Sequence, residues 1–367
     1  MSDLLINSLP PRQSRGPLRI GQRVLAHPFV QAALSGYSDW PMRTLARQYG
    51  AAYTLAEVML ERFATEVRGT GKTEHHFHVG SHDHPVGGQL MGADLERFGP
   101  AAQRLVQAGF DVIDINFGCP VRSAMGGCRG GYHLGQPEIA LEIVDRVRQA
   151  VPPEIPVTLK MRRGIDNTQE SRDRFFQILD GAFSRGVSAV TVHGRTVEQK
   201  YRGPSLWTFL KEVKEHAGDR TILGSGDLFS AQACLEMLQQ TGVDGVTIAR
   251  GAIGNPWIFQ QALALWNGLP LPAPPTVFQQ RQAIQEHCEL AEQIYGPERW
   301  FGQMRKFAFK YARLHPQALP LRSELGTMKT PHDWAEILAR YYSEDLPGQM
   351  PDACETEEAP TGCLVEN

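Results

Sequence analysis

Asp111-Val112-Ile113-Asp114-Ile115-Asn116-Phe117-Gly118-Cys119-Pro120 is the stretch on which the fold of this chain turns. Val112, Ile113 and Ile115 read as a buried strand of a parallel sheet, and Gly118 and Pro120 end it abruptly. Asn116 and Cys119 therefore stand at the C-terminal end of a strand, where barrels and open α/β sheets carry their chemistry.

Outward from this strand one unit recurs, a short apolar run followed by a segment of helical spacing. The candidate strands are Pro28–Leu34, Ala52–Val58, Val86–Met91, Val112–Asn116, Val157–Met161, Ala189–His193, Thr221–Gly224 and Gly245–Ala249. Between them Leu95–Ala108, Pro137–Ala150, Ser171–Arg185, Leu206–His216 and Ala231–Gln240 carry helical patterns. Eight strands alternating with helices over about 225 residues predict an α/β fold of the (β/α)8 TIM-barrel type, with a doubly wound sheet as the competing architecture. The barrel is expected over residues 22–266 and a proline-rich linker over residues 267–275. Beyond it only helical patterns appear, Phe278–Tyr295, Arg299–Arg313 and a piece near Pro331–Tyr342, so a small all-helical C-terminal domain is expected over residues 276–343.

Residues 344–367 hold seven acids, no Lys or Arg, and Pro347, Pro351 and Pro360, the composition of a disordered acidic tail. Removing those seven negative charges from a net charge of −3 leaves +4, which permits a nucleic-acid partner without demanding one. In the helical region Lys306, Lys310 and Arg313 share one face with Arg305 beside them and aromatic residues interleaved, a basic flank or a solvated face over an aromatic core. A hydrophobic fraction of 42% is that of a soluble globular protein. No apolar run approaches the roughly 20 residues of a membrane span, and Met1 to Gly21 lacks the apolar centre of a secretory signal, so a cytoplasmic address is expected. The six cysteines are scattered without a CxxC pair, which argues against a disulfide framework and leaves single thiols available.

Polar residues gather at the strand ends: Gln89, then Asn116 and Cys119, then Lys160 and Arg162, then His193 and Arg195, then Ser225 and Asp227, then Arg250. Cores do not need such residues, and their convergence on one rim describes a binding site. Gly224-Ser225-Gly226-Asp227 and Ala249-Arg250-Gly251-Ala252 follow the seventh and eighth strands, where barrels bind phosphate. A phosphate there suits a mononucleotide lying across the mouth, with Lys160 placed to stabilise negative charge on a reduced flavin. Cys119 is the candidate proton donor, and Cys128, in the loop Gly126–Gly131, is the rival thiol. Gly71-Lys72-Thr73 lacks the first glycine of a P-loop, and His75, His76, His78, His82 and His84 read as a solvated or substrate-facing loop, so no metal is expected.

Asp114-Ile115-Asn116-Phe117-Gly118-Cys119-Pro120, Leu159-Lys160-Met161-Arg162, Val192-His193-Gly194-Arg195-Thr196, Gly226-Asp227 and Ile248-Ala249-Arg250-Gly251-Ala252-Ile253-Gly254-Asn255-Pro256-Trp257 together resemble the tRNA-dihydrouridine synthases, most closely the bacterial B-type branch. The resemblance implies an FMN-bearing barrel that reduces uridine in tRNA to dihydrouridine at the expense of NADPH, with tRNA as its partner and no stable protein partner. It implies that Cys119 protonates C5 of the base while FMN delivers hydride to C6. Asn116, Arg122 and Arg195 are then expected at the substrate. Ser35, Gln89, Lys160 and His193 are expected at the flavin, and Ser225, Gly226, Asp227, Ala249 and Arg250 at its phosphate. Arg305, Lys306 and Lys310 become an RNA grip. Ala33-Leu34-Ser35-Gly36, Ser225 and Ala249 depart from the family pattern in the flavin cradle, as Arg122 and Gly131-Tyr132-His133-Leu134 do in the loop after Cys119. The rival readings are a flavoenzyme of a free pyrimidine such as dihydroorotate, and a tRNA-binding protein without catalysis.

Overall fold

Short apolar runs that alternate with amphipathic helices can bury both faces of a parallel sheet, and here they close it. This computed structural model describes residues 17–351. Strands β1 (Leu18–Ile20) and β2 (Arg23–Leu25) pair as an antiparallel hairpin. Eight parallel strands follow: β3 (Phe29–Gln31), β4 (Tyr53–Leu60), β5 (Val86–Met91), β6 (Val112–Phe117), β7 (Val157–Arg162), β8 (Ala189–His193), β9 (Ile222–Ser225) and β10 (Gly245–Ile248). Each pairs with the next in chain order, and β10 pairs back onto β3, so the sheet is a closed barrel rather than a doubly wound sheet.

The hairpin is an element that the sequence pattern did not reveal, because three-residue strands carry no periodicity. Leu18, Ile20 and Leu25 are buried with Val30, Tyr53, Leu55, Val112, Ala189 and Leu223, and they stopper the N-terminal end of the barrel. Arg23 pairs with Asp111 at 3.0 Å and ties the hairpin to the residue before β6.

The outer helices bury one stripe each. In Pro137–Ala150 the stripe is Ala140, Leu141, Ile143, Val144 and Val147, and each larger aliphatic there contributes about 1.5–3 kcal/mol on burial. Trp40–Gln48 begins at Asp39, whose side chain accepts the Met42 N–H at 3.1 Å. After Trp257–Trp266, residues 267–275 form no helix or strand, and the four helices Val277–Tyr295, Trp300–Tyr311, Ala318–Thr327 and Pro331–Tyr341 follow. The third of these was not anticipated, and it contains both Pro320 and Gly326. Pro320 sits in the first turn, where its missing N–H is harmless. No described helix is long and apolar enough to cross a membrane.

The helical region docks on the barrel through the face expected to be a basic flank. Phe307 meets the Tyr37 ring edge-on at 5.4 Å, and Tyr295 donates to Asp39 at 2.8 Å. Arg313 is buried and donates to the Ile253 carbonyl at 2.9 Å, so it caps backbone instead of facing RNA. Gly254 has φ +64°, and a Cβ there would stand 2.6 Å from both the Lys310 carbonyl carbon and the Tyr311 nitrogen. Gly254→Ala is therefore expected to destabilise the protein by about 2–4 kcal/mol, from backbone strain plus the clash. Gly268→Ala, at φ +73° with nothing within 4 Å, is expected to cost only about 1 kcal/mol. Chemical denaturation of the two variants checks the difference.

The tail expectation needs correction over its first eight residues. Leu346 O accepts from Val277 N at 2.9 Å, Asp345 from Phe278 N at 3.0 Å, and Gln349 N donates to Leu314 O at 2.9 Å. These bonds pin residues 344–351 to the helical region despite their acidic composition. The rest of the expected tail, residues 352–367, lies outside the described residues.

Candidate functional site

Because the strands are parallel, their C-terminal ends share one rim, and a cavity of about 960 Å³, counting its solvent-open mouth, lies there. Its wall includes Ser35, Gln89, Asn116, Cys119, Lys160, Arg162, His193, Ser225, Gly226, Asp227, Ala249 and Arg250, which the sequence had placed at strand ends or in the cradle.

β6 carries the thiol. Asn116 Oδ1 accepts from Gly118 N at 2.8 Å and Cys119 N at 3.0 Å, an Asx turn that aims the chain past the strand end. The loop then folds back, and Gly131 N donates to Cys119 O at 3.0 Å. Gly130 has φ +61°, and a Cβ there would lie 2.8 Å from that of Cys119, so the loop needs glycine. Burial pushes the Cys119 thiol up, while the Val121 N–H and the charges of Lys160, Arg162 and Arg129 pull it down by less. Cys119 is thus a thiol and not a thiolate at neutral pH, which is the form a proton donor needs. Cys128 is exposed and does not line the cavity.

β7 brings two cations with different roles. Arg162 donates to the carbonyls of Gly118 (2.8 Å), Thr196 (2.9 Å) and Lys200 (2.7 Å), so it holds loops together. Lys160 makes no hydrogen bond or ion pair among the described residues. Burial first, then Arg162, lowers its pKa to about 8 against the pull of Asp114 and Cys119. On β8, His193 Nδ1 accepts from Arg195 N at 3.2 Å, which leaves the ring proton on Nε2. Burial and the surrounding cations Arg162, Lys160, Arg195 and Arg250 hold it well below its ordinary pKa, so the ring is neutral.

Two expected substrate residues do not line the cavity. Arg195 is buried, pairs with Asp227 at 2.8 Å and donates to Gly203 O, so its side chain fixes the loop after β9. Arg122 is exposed at the start of a short helix and lies off the wall. Lys306 donates to Gln303 at 2.9 Å and sits 5.5 Å over the Tyr37 ring, behind the cavity wall, while Arg305 is exposed and Lys310 half-buried. Sequence reasoning missed Tyr37, Val58, Tyr201, Leu228 and Phe229, which supply the apolar wall. The Arg250 guanidinium packs over Tyr201 and Phe229, 5.0 Å from each ring, and lies 3.9 Å from Asp227. The histidine-rich loop packs locally: His78 against Trp40, His76 against Phe63, and His84 on Asp111 at 2.7 Å.

A closed parallel barrel with a thiol, an unpaired lysine and a neutral histidine around its C-terminal mouth defines a TIM-barrel protein with a reaction site at the usual end. The fold is shared with morphinone reductase in complex with tetrahydroNAD (TM-score 0.52, 15% identity, 72% of this chain and 93% of that one). It is shared also with histamine dehydrogenase from Rhizobium sp. 4-9 (TM-score 0.51, 15% identity, 74% and 50%). Residues 30–345 match the dihydrouridine synthase (Dus) family, and the chain belongs to that family. It is 31% identical over 338 residues to tRNA-dihydrouridine synthase B of Xanthomonas campestris pv. campestris, covering 91% of this chain and 98% of that one. A probable tRNA-dihydrouridine synthase 1 of Synechocystis is also 31% identical, over 337 residues, covering 92% of each chain.

Proposed function

We propose that this chain reduces uridines in tRNA to 5,6-dihydrouridine, with FMN in the barrel mouth and NADPH as reductant. The observation that carries the reading is a protonated thiol, Cys119, facing the same cavity as an ammonium group, Lys160, that has no hydrogen bond or ion pair among the described residues. Those residues fit a flavin. Lys160 offers an uncommitted positive charge, His193 a neutral ring with its N–H on Nε2, and Gln89 a second amide hydrogen beyond the one it gives Asp114. Arg250 and the turn at Gly226, where φ is +115°, suit the phosphate end.

FMN, held there by these residues, would supply the hydride that the base takes up at C6. Cys119 would give its proton to C5 from the buried thiol, and Lys160 would stabilise negative charge developing on the bound cofactor. The aromatic and apolar wall of Tyr37, Tyr201 and Phe229 excludes water. Taking the uridine out of a tRNA loop costs only a few kcal/mol. Arg122 and Arg305 are exposed guanidinium groups without an ion partner among the described residues, free to meet phosphates. This reading implies a cytoplasmic location, where tRNA is available.

Mapping dihydrouridine in tRNA from cells with and without the gene tests the activity. Loss of specific dihydrouridines is expected, and an unchanged map, or a colourless purified protein, overturns the reading. A second measurement tests the lysine. Because the native Lys160 pKa is about 8 and the unfolded value about 10.4, the unfolded chain holds more protons between these values, and this group's contribution to stability rises with pH across that window. Lys160→Met is expected to remove that rise, to leave the FMN-free protein at least as stable, and to weaken FMN binding at least tenfold. Titration with FMN and unfolding at pH 7 and pH 10 check all three.

A further inference from the structure

Beneath Cys119 four buried polar side chains form one continuous line, Thr158, Asp114, Gln89 and Asn116. Thr158 Oγ1 lies 2.5 Å from Asp114 Oδ1, Gln89 Nε2 donates to Asp114 Oδ2 at 2.7 Å, and Asn116 Nδ2 donates to Gln89 Oε1 at 2.7 Å. At the top, Asn116 Oδ1 accepts from the backbone of Gly118 and Cys119. The direction of this line is fixed from both ends. Backbone N–H groups only donate, so Asn116 must turn its oxygen to them and its nitrogen to Gln89. Gln89 must then turn its oxygen to Asn116 and its nitrogen downward, where an acceptor is required, and Asp114 Oδ2 is that acceptor.

We infer that Asp114 is a positioning residue for Cys119: its carboxylate orients a relay of two amides whose last oxygen holds the backbone of the thiol at the barrel mouth. Its side chain does not itself line the cavity and makes no bond to the thiol, so its hydrogen-bonded route to Cys119 runs through Gln89 and Asn116. A proton taken up on Oδ1 would be donated to Thr158 and would leave Oδ2 accepting, so the relay keeps its direction. The catalytic consequence rests on the reading of Cys119 as proton donor, whereas the relay itself is a property of the folded chain.

Two experiments on the purified protein, neither using tRNA, test the relay. Asp114→Ala removes the acceptor, and hydrogen exchange of the Gly118 and Cys119 amides is expected to quicken about tenfold, the worth of one buried hydrogen bond. Asn116→Asp sets acids at both ends of Gln89, which can present nitrogen to only one of them, so a proton must be trapped in the native state. Its stability is then expected to fall as pH rises from about 5 to about 8, up to about tenfold in the folding constant per pH unit. Adding Asp114→Asn reverses the whole line: Gln89 turns over, donates to the carboxylate introduced at position 116 and accepts from the amide introduced at position 114, and that amide's oxygen accepts from Thr158. The double variant is expected to lose the pH dependence and to regain stability, although the two altered side chains meet only through Gln89. Lys160 from β7 and Tyr53 from β4 are the titratable groups facing residue 114, and both are common to every variant. A double variant as pH-sensitive as Asn116→Asp, or unchanged exchange in Asp114→Ala, overturns the inference. Should Asp114→Ala not fold, the charge exchange decides alone. Full activity of a Cys119 variant would overturn the functional reading and leave these outcomes untouched.

Discussion

On the proposed function, Cys119→Ala is expected to lose dihydrouridine formation by about 10²- to 10⁴-fold, the range a single positioned proton donor contributes, and to keep FMN bound. The size follows from the site. Cys128 is exposed and off the cavity wall, so no second thiol stands ready to replace the first. Retention of FMN follows because the cofactor's proposed holders, Lys160, His193 and Arg250, lie on β7, β8 and after β10, none of them bonded to the sulfur. Cys119→Ser keeps the shape with a far weaker acid and is expected to fall between the wild type and alanine. Quantifying dihydrouridine in tRNA after single-turnover reaction, alongside the flavin absorbance, separates a lost proton from a lost cofactor. Undiminished reduction by the alanine variant would give the proton to Cys128 or to water.

Asp83→Ala is expected to destabilise the protein by about 3–5 kcal/mol, the usual result of leaving one half of a buried ion pair behind. Arg43 and Asp83 have side chains 2% and 0% exposed and meet at 2.6 Å, with Arg43 also donating to the carbonyls of Ser38 and His78. The pair fastens the helix Trp40–Gln48 to the chain that enters β5, so an orphaned guanidinium there has no water to turn to. Its unfolding midpoint should drop by on the order of 10 °C. Arg62→Ala is the comparison: that pair, with Glu66, is 73% and 45% exposed, and its loss should leave the unfolding midpoint nearly unchanged. A small effect at Asp83 would mean that water reaches Arg43.

The sequence reading was strongest where geometry leaves few choices. Val86–Met91 and Ala189–His193 are strands at the expected residues, because an apolar run bounded by turn formers has one way to sit in a parallel barrel. β3 shrank to Phe29–Gln31, and β4 ran on to Leu60 with a register shift between Leu55 and Val58, since backbone pairing and not side-chain pattern sets where a ladder stops. That Cys119, Lys160 and His193 would line one cavity was legible because a barrel puts every strand end on one rim. Arg195 was not, since beyond the last strand residue periodicity no longer says where a side chain points. Arg313 and Lys306 have the spacing of a basic face whether that face meets solvent or another domain. Tyr37, Tyr201 and Phe229 lie in loops, where an aromatic residue carries no periodic signal at all.

The hairpin of β1 and β2 has a consequence for traffic. With Leu18, Ile20 and Leu25 corking the far end, the barrel opens, among the described residues, at the mouth where Cys119 stands. In the proposed reaction a reductant and a folded RNA would both need that doorway, so they would come and go in alternation, and a proton given up by Cys119 would be replenished by the same route between visits.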